Sequence, residues 1–236
     1  MVAAAMAAEF DISEDAIRRD LRALAAEGKC RRVYGGALPL SSASLPMAAR
    51  IAQDADRKLA LARAALAAIE PGEFLFLDAG STNLALVNLL PENRDLTLAT
   101  NSLDIAVAAM KRGDLALVVI GGEVNLTVGG CVDASAVASL EQMNIDRCFV
   151  GVSAISPTRG ISVFDHADAI FKRALLKRSR RRMAMATVEK FQGVAPHRIG
   201  GAGDIDCLFV EADMSDNDAE ALAGAGFSIV RAREAS

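Results

Sequence analysis

The sequence has few of the residues that build metal sites or disulfide scaffolds. It contains no Trp, one Tyr and two histidines, His166 and His197. Zinc sites need a denser cluster of ligands, so we expect no metal and no cofactor. The four cysteines are scattered and form no CxxC pair, which is typical of reduced thiols in the cytoplasm.

Membrane and secretion signals are also missing. The longest uncharged run, residues 33–49, is interrupted by Gly, Pro and Ser, so we expect no membrane span. The first residues lack a basic region and meet Glu9 too early for a signal peptide. The net charge of −4 argues against a protein that coats nucleic acid, but it is compatible with a localised basic face.

Short apolar runs alternate with helix-like segments in most of the chain. The strand-like runs are 74–78, 96–100, 115–120, 147–152, 183–187, 207–211 and 227–231. The helix-like segments are 54–69, 82–90, 102–110, 131–143, 168–181 and 216–225. This alternation predicts an α/β fold with a mostly parallel sheet and helices on both faces.

The composition changes around residue 40. Residues 41–50 contain Ser and Pro and lack periodicity until their end, which is typical of a linker. We therefore predict a small head at residues 1–40, a linker at 41–53 and an α/β domain at 54–236.

The head contains a capped helix. Ser13 is a good N-cap, and Glu14 and Asp15 follow where the helix dipole favours negative charge. Three apolar residues at helical spacing predict the buried face: Ile17, Leu21 and Leu24.

Basic residues follow on another face of this helix and in the segment after it. They are Arg18, Arg19, Arg22, Lys29, Arg31 and Arg32. Gly28 is the predicted end of the helix, and Gly35-Gly36 is the predicted turn of a basic hairpin. Guanidinium groups suit phosphates and guanine edges, so the pattern favours DNA binding. A solvated helix with a surface hairpin is the alternative that charge alone leaves open.

The order of these residues carries more information than their charge. The run IRRDL, a Leu three residues later, Glu-Gly, basic residues and Gly-Gly resembles the winged helix-turn-helix of DeoR-family bacterial transcription regulators. In that family the helix reads DNA, the hairpin is the wing, and Val2–Ser13 corresponds to the preceding helix and turn. A further helix normally comes first, so the head is expected to be N-terminally truncated. The DNA-binding residues implied by the resemblance are Ser13, Arg18, Arg19, Arg22, Arg31, Arg32 and Tyr34.

Polar turns follow three successive predicted strands. They are DAGSTN at 78–83, TNS at 100–102, and Gly121-Gly122. Ligands of open α/β sheets bind at the carboxyl ends of strands, where glycines and helix amides can hold an anion. Each turn alone also fits simple capping. Together they predict a polar crevice.

The same turns resemble the DeoR-family effector domain, from about residue 50 to 230. That domain is similar to sugar-phosphate isomerases such as ribose-5-phosphate isomerase, and it typically senses a phosphorylated sugar. The implied effector-binding residues are Asp78, Gly80, Ser81, Thr82, Thr100, Asn101, Ser102, Gly121, Gly122, Asp165, Lys172 and Lys190. The family usually has acidic residues where Ala167 and Thr187 stand, which indicates a retuned or degenerate pocket.

Three functions are compatible with these patterns. The first is a DNA-binding regulator, a homo-oligomeric repressor of a sugar-metabolism operon that responds to a phosphorylated sugar. The second is a sugar-phosphate isomerase or transferase, since fold does not fix function. An enzyme has no use for the basic head, which favours the regulator and predicts no catalytic residues. The third is a sensor that has lost DNA binding and acts in mixed oligomers.

Overall fold

The chain folds as two compact units, Met1–Leu45 and Pro46–Ser236. A computed structural model describes residues 3–26, 30–33, 36–39, 45–92 and 95–233. The second unit begins earlier than the predicted α/β domain. Residues 46–53, which the sequence assigned to the linker, belong to this unit and contain a helix.

The first unit is a helix-turn-helix followed by a hairpin. Its elements are α1 (Ala3–Phe10), α2 (Glu14–Ala26), β1 (Cys30–Val33) and β2 (Gly36–Pro39). The two strands are antiparallel, and Val33 pairs with Gly36. Gly36 is therefore a strand residue, whereas the sequence placed it in the turn. Gly28, Tyr34 and Gly35 lie outside the described residues.

A small apolar core holds the two helices together. Ile17 and Leu21 are buried as predicted, together with Ala3, Ala7 and Cys30. The prediction for Leu24 was wrong, because this side chain is 37% exposed. In the last turn of α2 the core-facing position passes to Ala25, four residues after Leu21.

The second unit contains the remaining elements. In chain order they are α3 (Met47–Ala52), α4 (Ala55–Leu66), β3 (Phe74–Leu77), α5 (Ser81–Val87), β4 (Thr97–Thr100), α6 (Leu103–Arg112), β5 (Ala116–Val119), β6 (Val124–Asn125), β7 (Gly130–Cys131), α7 (Ala134–Leu140), β8 (Ile145–Val150), β9 (Ala154–Ser156), β10 (Gly160–Val163), α8 (His166–Arg178), β11 (Ser179–Ala186), a 3-10 helix (Val188–Gln192), β12 (His197–Gly200), a 3-10 helix (Ala202–Asp204), β13 (Cys207–Val210), α9 (Asp216–Gly224) and β14 (Ile229–Arg231).

A seven-stranded sheet in the order β14-β13-β11-β8-β3-β4-β5 forms the centre, and all its pairings are parallel. Side chains of each strand alternate between two apolar layers, which explains the uniformly apolar runs. Leu75 and Leu77 pack in the layer of α4, α5 and α6. Phe76 packs in the layer of α7, α8 and α9. The predicted parallel sheet with helices on both faces is confirmed.

The strand order reverses between β3 and β8. From β3 the chain continues outward through β4 to β5, and from β8 it continues in the opposite direction through β11, β13 and β14. A crevice at the carboxyl ends of such strands is the usual ligand position in open α/β sheets. At the amino ends of the same two strands, Arg147 donates two hydrogen bonds to buried Glu73, at 2.8 and 2.7 Å.

Two small antiparallel sheets lie outside the central sheet. One has the order β12-β10-β9, and the other is the hairpin of β6 and β7. The sequence did not predict these short strands, and it misplaced two helix ends. Cys131 lies in β7 and Arg181 in β11, although both had been assigned to helices. Within the described ranges, no helix is long and apolar enough to cross a membrane.

Candidate functional site

Asp78 joins the two strands at which the sheet order reverses. It follows β3 directly and is completely buried. Its Oδ2 accepts a hydrogen bond of 2.7 Å from the amide of Gly151, which follows β8. Its Oδ1 accepts one of 2.8 Å from the amide of Ala79. Two backbone amides therefore fix the Asp78 carboxylate at the carboxyl ends of β3 and β8.

Lys172 lies between two buried carboxylates. Its Nζ is 2.7 Å from Oδ2 of Asp78 and 2.5 Å from Oδ1 of Asp168, one turn earlier on α8. Burial alone would lower the pKa of Lys172, but the two carboxylates outweigh it and raise that pKa. Burial raises the pKa of Asp168 to about 6, against the attraction of Lys172.

Substitutions in this ion-pair network affect folding as well as binding. Removing one partner leaves a buried charge without compensation, which typically costs about 3–5 kcal/mol. Asp78, Asp168 and Lys172 are therefore poor positions for a clean test of ligand binding.

The second predicted turn, Thr100 to Ser102, is completely buried. The Thr100 hydroxyl donates to Leu77 O at 2.6 Å. Oδ1 of Asn101 accepts from the Ala79 amide at 3.0 Å. These two side chains hold the loops after β3 and β4 together. Oγ of Ser102 is different, because it is buried and has no hydrogen-bond partner among the described residues.

The first predicted turn begins α5. Gly80 is the N-cap residue of α5, and Ser81 and Thr82 are its first residues. Thr82 is buried and Ser81 is half-buried. Asn83 was not among the predicted site residues, yet its Nδ2 donates to Asp78 O and Phe149 O, at 2.8 Å each. Asn83 thus connects α5 to the carboxyl ends of β3 and β8 through these hydrogen bonds.

The other predicted residues lie in the loop after β5 and at the start of α8. Gly121 and Gly122 are exposed beyond β5, which is an edge strand. Gly122 has a φ of +143°, and a Cβ there would lie 2.2 Å from Oδ1 of Asp133. Asp165 caps α8, since its Oδ1 accepts from the Asp168 amide at 2.9 Å. Its Oδ2 accepts from Nδ2 of Asn125 at 3.1 Å.

Positive charge accumulates next to this network. Lys190 is half-buried in a 3-10 helix. Burial lowers its pKa to about 8; Glu189 opposes the shift, and Arg50, Lys58 and Lys172 add to it. The sequence predicted Lys172 and Lys190 but missed Arg50 and Lys58. Both lie at the start of the second unit, in or next to a segment without a recognisable motif.

In the first unit, α2 presents the predicted basic residues. Ser13 Oγ accepts a hydrogen bond of 3.2 Å from the Ala16 amide, as expected of an N-cap. Arg18 is 2.8 Å from Glu14, one turn earlier. Arg19 and Arg22 are exposed. Arg31 and Arg32 lie on β1. Tyr34 is outside the described residues.

Both units match known families. Residues 3–43 match the DeoR-like helix-turn-helix domain, and residues 53–212 match the DeoR C terminal sensor domain. The chain belongs to the DeoR family. The predicted family membership is confirmed.

Curated relatives of this DeoR-family chain are named as regulators. The glycerol-3-phosphate regulon repressor of Escherichia coli K12 is 31% identical over 86% of this chain and 81% of its own length. The putative aga operon transcriptional repressor of Escherichia coli O157:H7 is 27% identical over 95% of this chain and 85% of its own. The chain is thus a DNA-binding transcription regulator, and the isomerase alternative is not favoured.

The fold also has solved relatives outside the family. Ribose 5-phosphate isomerase A of Methanocaldococcus jannaschii aligns over 59% of this chain and 55% of its own, with 16% identity and a TM-score of 0.44.

The structure describes both positions at which the resemblance implied acidic residues, Ala167 and Thr187. Ala167, beside Asp168, is half-buried and packs against the apolar layer of α8. Thr187 is buried, and its hydroxyl donates to Glu189 at 2.5 Å. Both positions are thus occupied by packed or hydrogen-bonded side chains.

Proposed function

We propose that the crevice after β3 and β8 binds a phosphorylated sugar or a related phosphorylated metabolite. The observation that carries this proposal is the group of buried charges at the reversal of strand order: Lys172 contacts Asp78 and Asp168, and its charge also acts on Lys190. Ammonium groups neutralise a phosphate dianion, and carboxylates accept hydrogen bonds from sugar hydroxyls. The name of one relative, a glycerol-3-phosphate regulon repressor, refers to a compound of this class.

The remaining effector-contact candidates have different roles in this proposal. Gly80, Ser81 and Thr82 supply the start of α5, whose amides suit an anion. Ser102 supplies a hydroxyl without a partner among the described residues. Thr100, Asn101 and Asp165 shape the loops through their backbone contacts, and Gly121 and Gly122 form the outer rim.

The proposed output is operator DNA bound by the first unit. Arg19 and Arg22 are exposed on α2 and suit phosphates or guanine edges, and Arg18 can exchange Glu14 for DNA. Arg31, Arg32 and Tyr34 of the wing, with Ser13 at the helix start, complete the proposed DNA surface. An effector that prefers one arrangement of the protein shifts DNA affinity by linkage, so the protein acts as a repressor that a metabolite releases or engages.

A homo-oligomer in the cytoplasm is the proposed working form. Helix-turn-helix proteins usually bind as dimers to two half-sites about 34–36 Å apart. Apolar side chains on one face of α6 support self-association, because Leu103, Val107 and Met110 are 46%, 49% and 68% exposed. Val119 of the edge strand β5 is also exposed and points to the same face of the sheet as Leu117, which packs in the layer of α6, so it extends this surface.

DNA binding and turnover distinguish the regulator from the enzyme. Fluorescence anisotropy measures affinity for the DNA upstream of the gene, with and without each member of a panel of phosphorylated sugars. We expect tight binding and a change in affinity with at least one compound, but no turnover of any. Turnover at rates typical of enzymes, about 1 s⁻¹ or faster, would contradict the proposal.

A further inference from the structure

Arg50 belongs to the short helix with which the second unit begins. Helix α3 starts at Met47, directly after Pro46, and ends at Ala52. The Nη2 atom of Arg50 donates to the carbonyls of Thr127 and Val128, at 3.1 and 2.9 Å. These carbonyls belong to the turn between β6 and β7. Asn125 of the same hairpin donates a hydrogen bond to Asp165, one of the proposed effector-binding residues.

These two hydrogen bonds use only the Nη2 atom of the Arg50 guanidinium. Its Nε is buried and has no hydrogen-bond partner among the described residues. The nearest carboxylates, Asp168 and Asp78, attract Arg50 through space but form their salt bridges with Lys172. A buried donor without a partner is costly, and more so in a charged group, so an acceptor atom of a ligand at this position would offset that cost.

A second cation lies close to Arg50. The charge of Arg50 is one of those that lower the pKa of Lys190, so the two groups repel each other. An oxyanion between them removes this repulsion and supplies an acceptor to Nε. Arginine suits such a position because it offers several donors in a fixed plane.

Helix α3 is held in place by residues other than Arg50. Buried Lys58 donates to the carbonyls of Arg50 and Gln53 at the end of the helix. Met47 is 2% exposed and packs against the β6–β7 turn, where a Cβ on Gly129 would lie 2.4 Å from its Cγ. The position of the helix therefore does not depend on the Arg50 side chain alone.

We propose that Arg50 binds an oxygen of the effector's phosphate through its free Nε, and that α3 thereby joins the crevice to the segment leading to the DNA-binding unit. This inference rests on the proposed function and adds a phosphate-binding residue from outside the strand-end loops. It follows that a higher phosphate concentration is needed to change DNA affinity when Arg50 is absent.

The test uses the full chain and inorganic phosphate as the probe. Isothermal titration calorimetry, at an ionic strength held constant with sodium chloride, compares wild type with Arg50→Gln, Arg50→Lys and the matched control Arg63→Gln. Arg63 is an exposed arginine on α4. Loss of a charged hydrogen-bond donor should weaken phosphate binding by about tenfold or more in Arg50→Gln. Arg50→Lys keeps the charge and should bind with intermediate affinity, and Arg63→Gln should match wild type.

DNA affinity, measured with and without phosphate, is the second readout. At a phosphate concentration near the wild-type dissociation constant, we expect a clear shift in wild type and Arg63→Gln and a much smaller one in Arg50→Gln. If urea unfolding shows that Arg50→Gln is destabilised, the phosphate affinity of Arg50→Lys is compared with wild type instead. The ammonium of Arg50→Lys can still donate to the carbonyls of Thr127 and Val128. Equal phosphate affinity in all four proteins, or none in wild type, overturns the inference. The proposed function fails separately, if no phosphorylated sugar changes the DNA affinity of wild type.

Discussion

Lys190 carries a charge that is set by its surroundings. Its pKa is lowered to about 8, first by burial and then by the neighbouring charges of Arg50, Lys58 and Lys172, while Glu189 opposes the shift. Below pH 8 the ammonium attracts a phosphate, and above pH 8 it loses its proton and this attraction. A bound dianion favours the protonated form, so binding and protonation support each other.

We predict that affinity for a phosphorylated sugar falls as the pH rises from 7 to 9. The phosphate stays dianionic over this range, since its second pKa is about 6, so the change originates in the protein. Lys190→Met should bind more weakly at pH 7 and show a flatter pH profile in calorimetry. Lys111→Met, at an exposed lysine on α6, is the control. A wild-type pH profile in Lys190→Met would contradict the prediction.

Single residues also show what the sequence could not reveal. The family resemblance implied Asp78 and Lys172 as site residues, and the structure places their charged groups 2.7 Å apart. Thr100 and Asn101 had the same polar character, but their side chains bond to neighbouring loops. A hydroxyl or amide suits a backbone group as well as a ligand, so residue type does not tell which partner it takes.

Helix α3 and the β6–β7 hairpin pack against each other through one tight contact. The turn contains Gly129 at a φ of +84°, and Met47 of α3 lies directly over it. Gly113, at the end of α6, has a similar φ of +73°, but a Cβ added there would have no neighbour within 4 Å among the described residues. The two glycines differ in their surroundings rather than in their backbone.

This pair gives a matched test of how α3 is packed. Gly113→Ala should cost about 1–2 kcal/mol for the left-handed conformation. Gly129→Ala should cost the same plus about 1–3 kcal/mol, because its methyl group displaces Met47. Urea unfolding of both variants measures the difference. Equal losses would mean that the packing of Met47 on the turn is unimportant.

How well a helix or strand could be predicted from the sequence depended on its length and burial. The five inner strands of the central sheet are largely buried and therefore appear as apolar runs. The edge strands β5 and β14 are more exposed but are also rich in aliphatic residues, so all seven were recognisable. β6 and β7 have two residues each, too few for any periodic pattern. Residues 46–53 looked like a linker because helix α3 is only six residues long.

At the scale of the whole molecule, the charge is unevenly distributed. The chain has a net charge of −4, yet residues 16–36 contain six basic and only two acidic residues, and Arg18, Arg19 and Arg22 of this segment lie on α2. Arg18 is paired with Glu14, whereas Arg19 and Arg22 are exposed. A DNA surface in an acidic protein depends on few cations, so each one should contribute measurably to binding.

We predict that Arg19→Gln and Arg22→Gln each weaken DNA binding and flatten its salt dependence. The slope of log affinity against log salt should fall by about 0.9 for each phosphate that the variant no longer neutralises. Anisotropy titrations at several salt concentrations measure this slope, with Arg63→Gln as the control. An unchanged slope in both head variants, or an equal change in the control, would contradict DNA binding by α2.

The pairing of β3 with β8 in the centre of the sheet has a consequence for folding during synthesis. Its partners are far apart in the chain, as in the hydrogen bond between Phe74 and Asp146, which spans 72 residues. A ribosome adding about 5–20 residues per second takes roughly 4–14 s to synthesise such a stretch. Until β8 emerges, β3 can pair only with β4, and Asp78 lacks both the Gly151 amide and Lys172. The proposed metabolite site therefore forms only when the two halves of the sheet have joined, so on this proposal a newly made chain cannot respond to its effector before its centre is complete.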